Sequence, residues 1–164
     1  MFRYAVLAVV MALLTVGAVR SLTGSAAHAA ADAPLRGAQG FELDPATLTK
    51  AADGHFWADG QVNGAPVHFL VDTGASNVSL TPQDAQRLGL QPAELVYNQT
   101  VRTAAGDSLA ARVRLNSVSI DGVRLSNVDA VVIGRGLPAS LLGMSYLGRL
   151  SQFEATRTVL VLHP

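Results

Sequence analysis

The stretch that most constrains the fold of this chain is residues 67–80, which read VHFLVDTGASNVSL. A run of large apolar residues ends there in Asp72. Valine, phenylalanine and leucine favour a strand that passes through a core, so this strand delivers a carboxylate to a turn at its end. A buried carboxylate is costly unless it is hydrogen-bonded or changes its protonation state, and perturbed acids cluster at functional sites. Asp72 is therefore the first candidate for a functional residue.

The two residues after Asp72 fit a turn that another chain or a ligand can approach closely. Gly74 lacks the β-carbon that would block such an approach, and the hydroxyl of Thr73 can hydrogen-bond to a neighbouring backbone group. An Asp-Thr-Gly tripeptide by itself is typical of an ordinary turn. Its position between the apolar residues 69–71 and the alternating residues 78–80 favours a functional loop instead.

Two motifs in this order resemble those of the retropepsin-like family of aspartic proteases. The first is Asp-Thr-Gly-Ala-Ser at residues 72–76, and the second is Leu-Leu-Gly at residues 141–143, about seventy residues later. The resemblance covers roughly residues 55–164. It implies an all-β fold with one or two short helices, in which a closed acid-protease-like β-barrel forms a single lobe that acts as a homodimer.

The resemblance also implies roles for individual residues, with Asp72 as the catalytic acid. The active-site loop and the motif that supports it would be formed by Thr73, Gly74 and Ala75, and by Leu141, Leu142 and Gly143. A hairpin with arms at 96–103 and 108–120 would be the flap that closes over a bound peptide. The predicted tip of the flap consists of small residues, namely Ala104, Ala105 and Gly106.

Peptide hydrolysis by carboxyl groups alone requires two of them, one to take a proton from water and one to donate to the carbonyl oxygen. The motif supplies one aspartate per chain, so Asp72 would meet its copy on the two-fold axis of a homodimer. Two carboxylates about 3 Å apart cannot both ionise, so the pair shares a proton. By resemblance, Thr73 of each chain would form hydrogen bonds across the axis. No cofactor is needed, and the implied substrate is an extended peptide.

Two other functional classes compete with the protease. A non-catalytic module of the same fold in the cell envelope could bind an extended peptide by strand addition. A structural envelope protein could use Asp72 only to form a turn. The intact Asp-Thr-Gly motif favours the protease, since a binding module gains nothing from a costly pair of acids.

The N-terminal segment, residues 1–31, predicts export. Residues 1–31 read as a signal peptide, because Arg3 precedes an apolar run at 4–19 and Ala27-His28-Ala29 fits a cleavage site. An uncleaved anchor formed by residues 4–19 is the alternative. The protein would then be periplasmic, secreted, or held at the inner membrane facing the periplasm. Residues 32–54 are interpreted as a linker or prosegment, in which Leu48 could pack on the domain or lie in a tether.

The remaining pattern is mainly β. Strands are predicted at 56–62 and 67–71, joined by an Asn-Gly turn, and a further strand at 128–133 follows a turn at Asp121-Gly122. Short helices are predicted from Thr81 to Gly89 and over 144–150. A final hairpin is expected over 153–162. The family resemblance implies that residues 159–162 form the dimer contact, and a terminal apolar strand left unpaired would invite aggregation.

Composition excludes several other activities. The chain has no cysteine, which rules out cysteine nucleophiles and thiolate metal sites, and its twelve basic and twelve acidic residues leave no basic excess for nucleic acid. Its four histidines show no spacing typical of a metal site, so we expect no metal. The acids other than Asp72, among them Asp84 and Asp129, are interpreted as solvated carboxylates in turns, caps or outer strand faces.

Overall fold

The computed structural model describes residues 44–164. The predicted signal peptide or anchor at 1–31, and residues 32–43 of the predicted linker, lie outside the described residues. Within residues 44–164, none of the helices has both the length and the apolar character that a membrane crossing requires.

The described residues are mainly β, which confirms the predicted fold class. They form ten strands and two short α-helices. In chain order these are β1 (Ala46–Thr49), β2 (Trp57–Val62), β3 (Ala65–Val71), β4 (Val78–Leu80), α1 (Pro82–Arg87), β5 (Gln99–Thr103), β6 (Gly106–Ile120), β7 (Val123–Ile133), β8 (Ser140–Leu142), α2 (Met144–Leu147), β9 (Gln152–Ala155) and β10 (Val159–His163).

Six of these strands close into a barrel, as predicted. Their order is β2-β3-β8-β4-β7-β6, and the end of β6 pairs with β2 to complete the ring. At this closure a β-carbon on Gly60 would lie 2.5 Å from Cδ1 of Ile120 and 3.1 Å from the carbonyl oxygen of Ser119. A glycine at residue 60 therefore lets the two strands pair without displacing Ile120 or the backbone of Ser119.

Tight turns set the register of the hairpins around the barrel. Asn63 and Gly64 have φ angles of 51° and 88°, and Asp121 and Gly122 have φ angles of 43° and 90°. Asparagine, aspartate and glycine tolerate this left-handed region best, so both predicted turns form where the sequence places them. Because β7 pairs with β6 right up to the second turn, it begins at residue 123 and not at the predicted residue 128.

Other element boundaries differ from the predictions by a few residues. The first arm of the flap hairpin begins at residue 99 instead of 96, and its second arm begins at residue 106 instead of 108. The second helix ends at Leu147, since Gly148 forms its C-cap. These shifts leave the order of the elements unchanged.

A second, three-stranded sheet joins residues that are far apart in the sequence. β10 lies between β1 and β9, with Leu160 opposite Leu48 on one side and opposite Ala155 on the other. Leu48 is buried in the main core, so this residue packs on the domain and does not lie in a tether. The predicted hairpin over 153–162 is confirmed by the pairing of β9 with β10. The expected free edge of the C-terminal strand was wrong, because β1 pairs with that edge.

The barrel interior holds the main apolar core, and the second helix closes one side of it. Tyr146 is fully buried there, and its hydroxyl donates to the carbonyl oxygen of Val123 at 2.7 Å. Burial raises the pKa of Tyr146, because the charged phenolate would lose its hydration. Tyr146 therefore stays neutral and acts as a structural hydrogen-bond donor.

The pairing of β1 with β10 predicts an effect on stability. Replacing Leu48 with alanine removes buried apolar atoms and leaves a cavity, so we expect a loss of about 2–4 kcal/mol in the free energy of unfolding. Thr47→Ala is the matched control, since Thr47 is an exposed neighbour in the same strand. Urea unfolding of both variants checks the prediction, and equal small effects would show that β1 does not belong to the folded core.

Candidate active site

Asp72 lies directly after β3, in a loop that backbone hydrogen bonds hold in place. Its N–H donates to the carbonyl oxygen of Leu142 at 3.2 Å, and its own carbonyl oxygen accepts from the N–H of Ala75 at 3.2 Å. Its side-chain Oδ1 accepts from the N–H of Gly74 at 2.8 Å. The carboxylate therefore has one oxygen fixed by the loop, which sets the direction in which the group points.

The residues 141–143 support this loop from the neighbouring strand. β8 runs parallel to β3, with Leu141 opposite Leu70 and Leu142 opposite Val71. Just beyond β8, the N–H of Met144 donates to the carbonyl oxygen of Ala75 at 2.8 Å. The two sequence motifs thus meet in space, as the resemblance implied.

Gly143 sits at the closest point between the two motifs. A β-carbon there would lie 2.3 Å from the carbonyl oxygen of Asn77 and 2.7 Å from that of Ala75. The φ of Gly143 is −96°, which any residue can adopt. The requirement for glycine at this position is therefore one of space and not of backbone conformation.

A buried carboxylate, that of Asp84, anchors β8 from the other side. Asp84 was predicted to be solvated, yet it is only 6% exposed. It accepts hydrogen bonds from the hydroxyls of Thr81 and Ser140 and pairs with Arg87. Ser140 in turn accepts from the N–H of Thr81 at 3.1 Å, so the start of α1 is fixed to the start of β8.

A partial signal for this network was present in the sequence. Thr81 caps α1, and its hydroxyl accepts from the N–H of Asp84 three residues later, which is the spacing of a capping box. The burial of Asp84 depends on Ser140, which lies 56 residues away in the chain. No local pattern reports a contact over that distance.

Asp72 opens into a cleft of about 460 Å³ whose lining is slightly more apolar than polar. Its polar walls include Ser76, Asn77, Ser79, Gln99, Arg102 and Thr103. The carboxylate is half-buried, less than predicted for an acid that ends a core strand. The difference arises because the loop faces this cleft and solvent, while Thr73 and Gly74 are exposed at its tip. The apolar walls of the cleft are formed by Leu70, Ala75, Val101, Val131, Ile133, Leu137 and Leu141.

The predicted flap hairpin borders the same cleft. β5 and Ala104 line it together with Asp72, whereas Ala105 and Gly106 do not. Thr103 pairs with Gly106, so the turn itself consists of Ala104 and Ala105. A β-carbon on Gly136 would lie 3.3 Å from Cβ of Ala105, which shows that the tip lies against the loop at residues 136–138.

In the part of the chain that the structure describes, no three histidine, aspartate or glutamate side chains converge on a point that could hold a metal ion. Among the described residues that line the cleft, Asp72 is the one with a carboxylate.

Comparison with known proteins assigns this arrangement to a family. The family model of the gag-polyprotein putative aspartyl protease matches residues 58–149, which contain both motifs and the hairpin. The chain belongs to this family. A retropepsin-like aspartic protease from Rickettsia conorii, known from its crystal structure, is similar to it. The two share 40% sequence identity and a TM-score of 0.68, over 74% of this chain and 100% of that one.

Two curated relatives are also similar to this chain in sequence. The uncharacterized protein RP867 of Rickettsia prowazekii is 40% identical over 122 residues, and an uncharacterized Sinorhizobium protein from the cobV 5′ region is 44% identical over 108 residues. These matches cover 74% and 65% of this chain. The chain spans about half the length of these relatives, 52% and 46% respectively.

The close approach at Gly143 predicts that alanine is not tolerated there. We expect Gly143→Ala to lower the free energy of unfolding by about 3 kcal/mol, because the new methyl group overlaps two carbonyl oxygens that belong to backbone. Gly64→Ala is the control with the opposite cause. A β-carbon at residue 64 would meet open space, but the φ of this residue is positive. Gly64→Ala should therefore lower the free energy of unfolding by about 1 kcal/mol. Chemical denaturation measures both, and a smaller loss for Gly143→Ala than for Gly64→Ala would contradict the steric explanation.

Proposed function

We propose that this protein is an aspartic endopeptidase that hydrolyses peptide bonds with water activated between the Asp72 carboxylates of two chains. The observation that carries the proposal is the position of Asp72, which is fixed by its loop at the wall of an apolar cleft beneath a hairpin. Membership of the aspartyl protease family supports the same reading.

The cleft suits an extended peptide with apolar side chains. Aliphatic side chains form a large part of its walls, and β5 lines it as the edge strand of the barrel sheet. Backbone groups on an edge strand can pair with a peptide that lies alongside it. Binding of this kind would bring a peptide carbonyl up to the carboxylate and exclude bulk water from the bond to be cleaved.

One chain supplies only half of the proposed machinery. A single carboxylate cannot act as base toward water and as acid toward the carbonyl oxygen in the same step. The exposed loop tip at Thr73 and Gly74 supports pairing with a second copy, because these residues have no covering element in the single chain. The shared proton of the pair then places one ionised and one protonated carboxyl on either side of the water.

The decisive variant is Asp72→Asn in the full-length chain. Asparagine keeps the size and one acceptor oxygen but cannot exchange a proton, so we expect cleavage of a mixed peptide library to fall by at least about 10³-fold. Circular dichroism and sedimentation confirm that the variant stays folded and associated. A variant that cleaves like the wild type would exclude Asp72 as the catalytic acid, and a folded, associated wild type that cleaves nothing would favour the peptide-binding module.

Mixing wild type with Asp72→Asn serves as the control for the shared site. If each site needs two aspartates, an equal mixture of co-refolded chains keeps about one quarter of the wild-type activity. If one chain suffices, it keeps about one half. The measured dependence on the mixing ratio therefore separates a symmetric dimer from a self-sufficient monomer.

The residue after Gly74 predicts the pH dependence. Ala75 cannot donate a side-chain hydrogen bond to the carboxylate pair, so we expect an activity optimum in the mildly acidic to near-neutral range. In Ala75→Ser the new hydroxyl can donate to the charged form and stabilise it, which moves protonation of the pair, and with it the optimum, to lower pH. Ala75→Val controls for side-chain size. A wild-type optimum below about pH 3 would contradict the explanation, because the pair would then titrate below an ordinary aspartate.

A further inference from the structure

The apolar cleft continues into a second recess that is charged. This recess has a volume of about 240 Å³ and shares two wall residues, Asn77 and Val131, with the cleft that holds Asp72. Its other walls include Arg112, Arg114 and Asp129. A ligand that fills the cleft and extends past Val131 therefore meets charged side chains.

Strand register explains how the surface changes from apolar to charged. On neighbouring strands, Ile133 lies opposite Ala110, Val131 opposite Arg112, and Asp129 opposite Arg114. Residues two apart in a strand point to the same face, so these three pairs form successive rows on one face of the sheet. Ile133, Ala110 and Val131 form a small apolar cluster on this face, apart from the main core. The first pair is thus apolar, the second joins an apolar residue to Arg112, and the third consists of two charged residues.

Arg112 is oriented toward the cleft by a side chain that lines it. Its Nε donates to Oε1 of Gln99 at 2.9 Å, and Gln99 is itself a wall residue of the cleft. Within residues 44–164 no carboxylate lies within ion-pair distance of Arg112. The terminal nitrogens of this guanidinium are therefore available to a bound ligand.

The neighbouring arginine is already neutralised. Arg114 donates from both Nε and Nη2 to Oδ1 of Asp129, at 3.1 and 2.8 Å. The walls of the recess therefore hold two guanidinium groups and one carboxylate, and its one net positive charge resides on Arg112, which has no ion-pair partner among the described residues. A guanidinium presents parallel N–H groups that match the two oxygens of a carboxylate.

We propose that this recess is a specificity subsite that selects an acidic side chain of the substrate through Arg112. The inference rests on the proposed function, because it assumes that a peptide occupies the cleft. An extended peptide advances about 3.3 Å per residue and alternates its side chains. The acidic residue therefore lies beyond the side chains that fill the apolar cleft, and not next to the cleaved bond. In a symmetric dimer the subsite occurs at both ends of the cleft.

The test uses peptide pairs that are identical except for Glu or Gln at one position, scanned along a substrate. The full-length wild type should show a kcat/KM about fivefold higher for the Glu peptide at fixed positions away from the cleaved bond, the upper range for an exposed ion pair. Arg112→Gln should abolish this preference, and Arg112→Glu should convert it into a preference for Lys. Arg124→Gln is the matched control, since Arg124 is an exposed arginine of β7 that lines neither recess. It should leave the preference unchanged.

A binding experiment distinguishes an error in the proposed subsite from an error in the proposed protease activity. Binding of the same peptide pairs to Asp72→Asn, measured by fluorescence anisotropy, reports on the subsite without catalysis. Tighter binding of Glu peptides that is lost in Asp72→Asn/Arg112→Gln supports the subsite even where the wild type cleaves nothing. Equal binding and equal cleavage of Glu and Gln peptides, or a preference that survives Arg112→Gln, would overturn it.

Discussion

The structure depends on one close approach, between the loop that carries Asp72 and the backbone just after β8. Hydrogen bonds from Asp72 to Leu142 and from Met144 to Ala75 join two segments about seventy residues apart in the chain. They form only because Gly143 leaves room for two carbonyl oxygens. The parallel pairing of β3 with β8, and so the closure of the barrel on that side, follows from the same contact.

The position of β8 is fixed from two sides, and the carboxylate loop is held in place with it. On one side the main-chain bonds hold the loop. On the other, the buried Asp84 binds the hydroxyl of Ser140 at the first residue of the strand. Removing one partner from such a network leaves a buried polar group unsatisfied, which costs more than the bond itself contributes.

The sequence predicts the parts of this protein that are set by local chemistry or by a recognisable motif. The turns at Asn63-Gly64 and Asp121-Gly122 follow from residues that tolerate positive φ, and the barrel follows from the two family motifs. Boundaries were less accurate, since β7 extends five residues further than its apolar run because pairing with β6 continues. The burial of Asp84 and the placement of Arg112 beside the cleft were not predictable, because each depends on a partner strand whose register no local pattern reveals. β1 was missed for the same reason: its four residues gain their stability from β10, more than a hundred residues later.

The pairing of β1 with β10 also gives the described chain the topology of a ring. Ala46 lies directly opposite Leu162, so the first and last strands run side by side, and a few residues would be enough to connect them. Closing so short a loop costs little conformational entropy. The strand pairs of the barrel therefore do not require the chain to be opened between β10 and β1. A circularly permuted chain cut at the exposed Asn63-Gly64 turn would contain the same strand pairs and the same cleft.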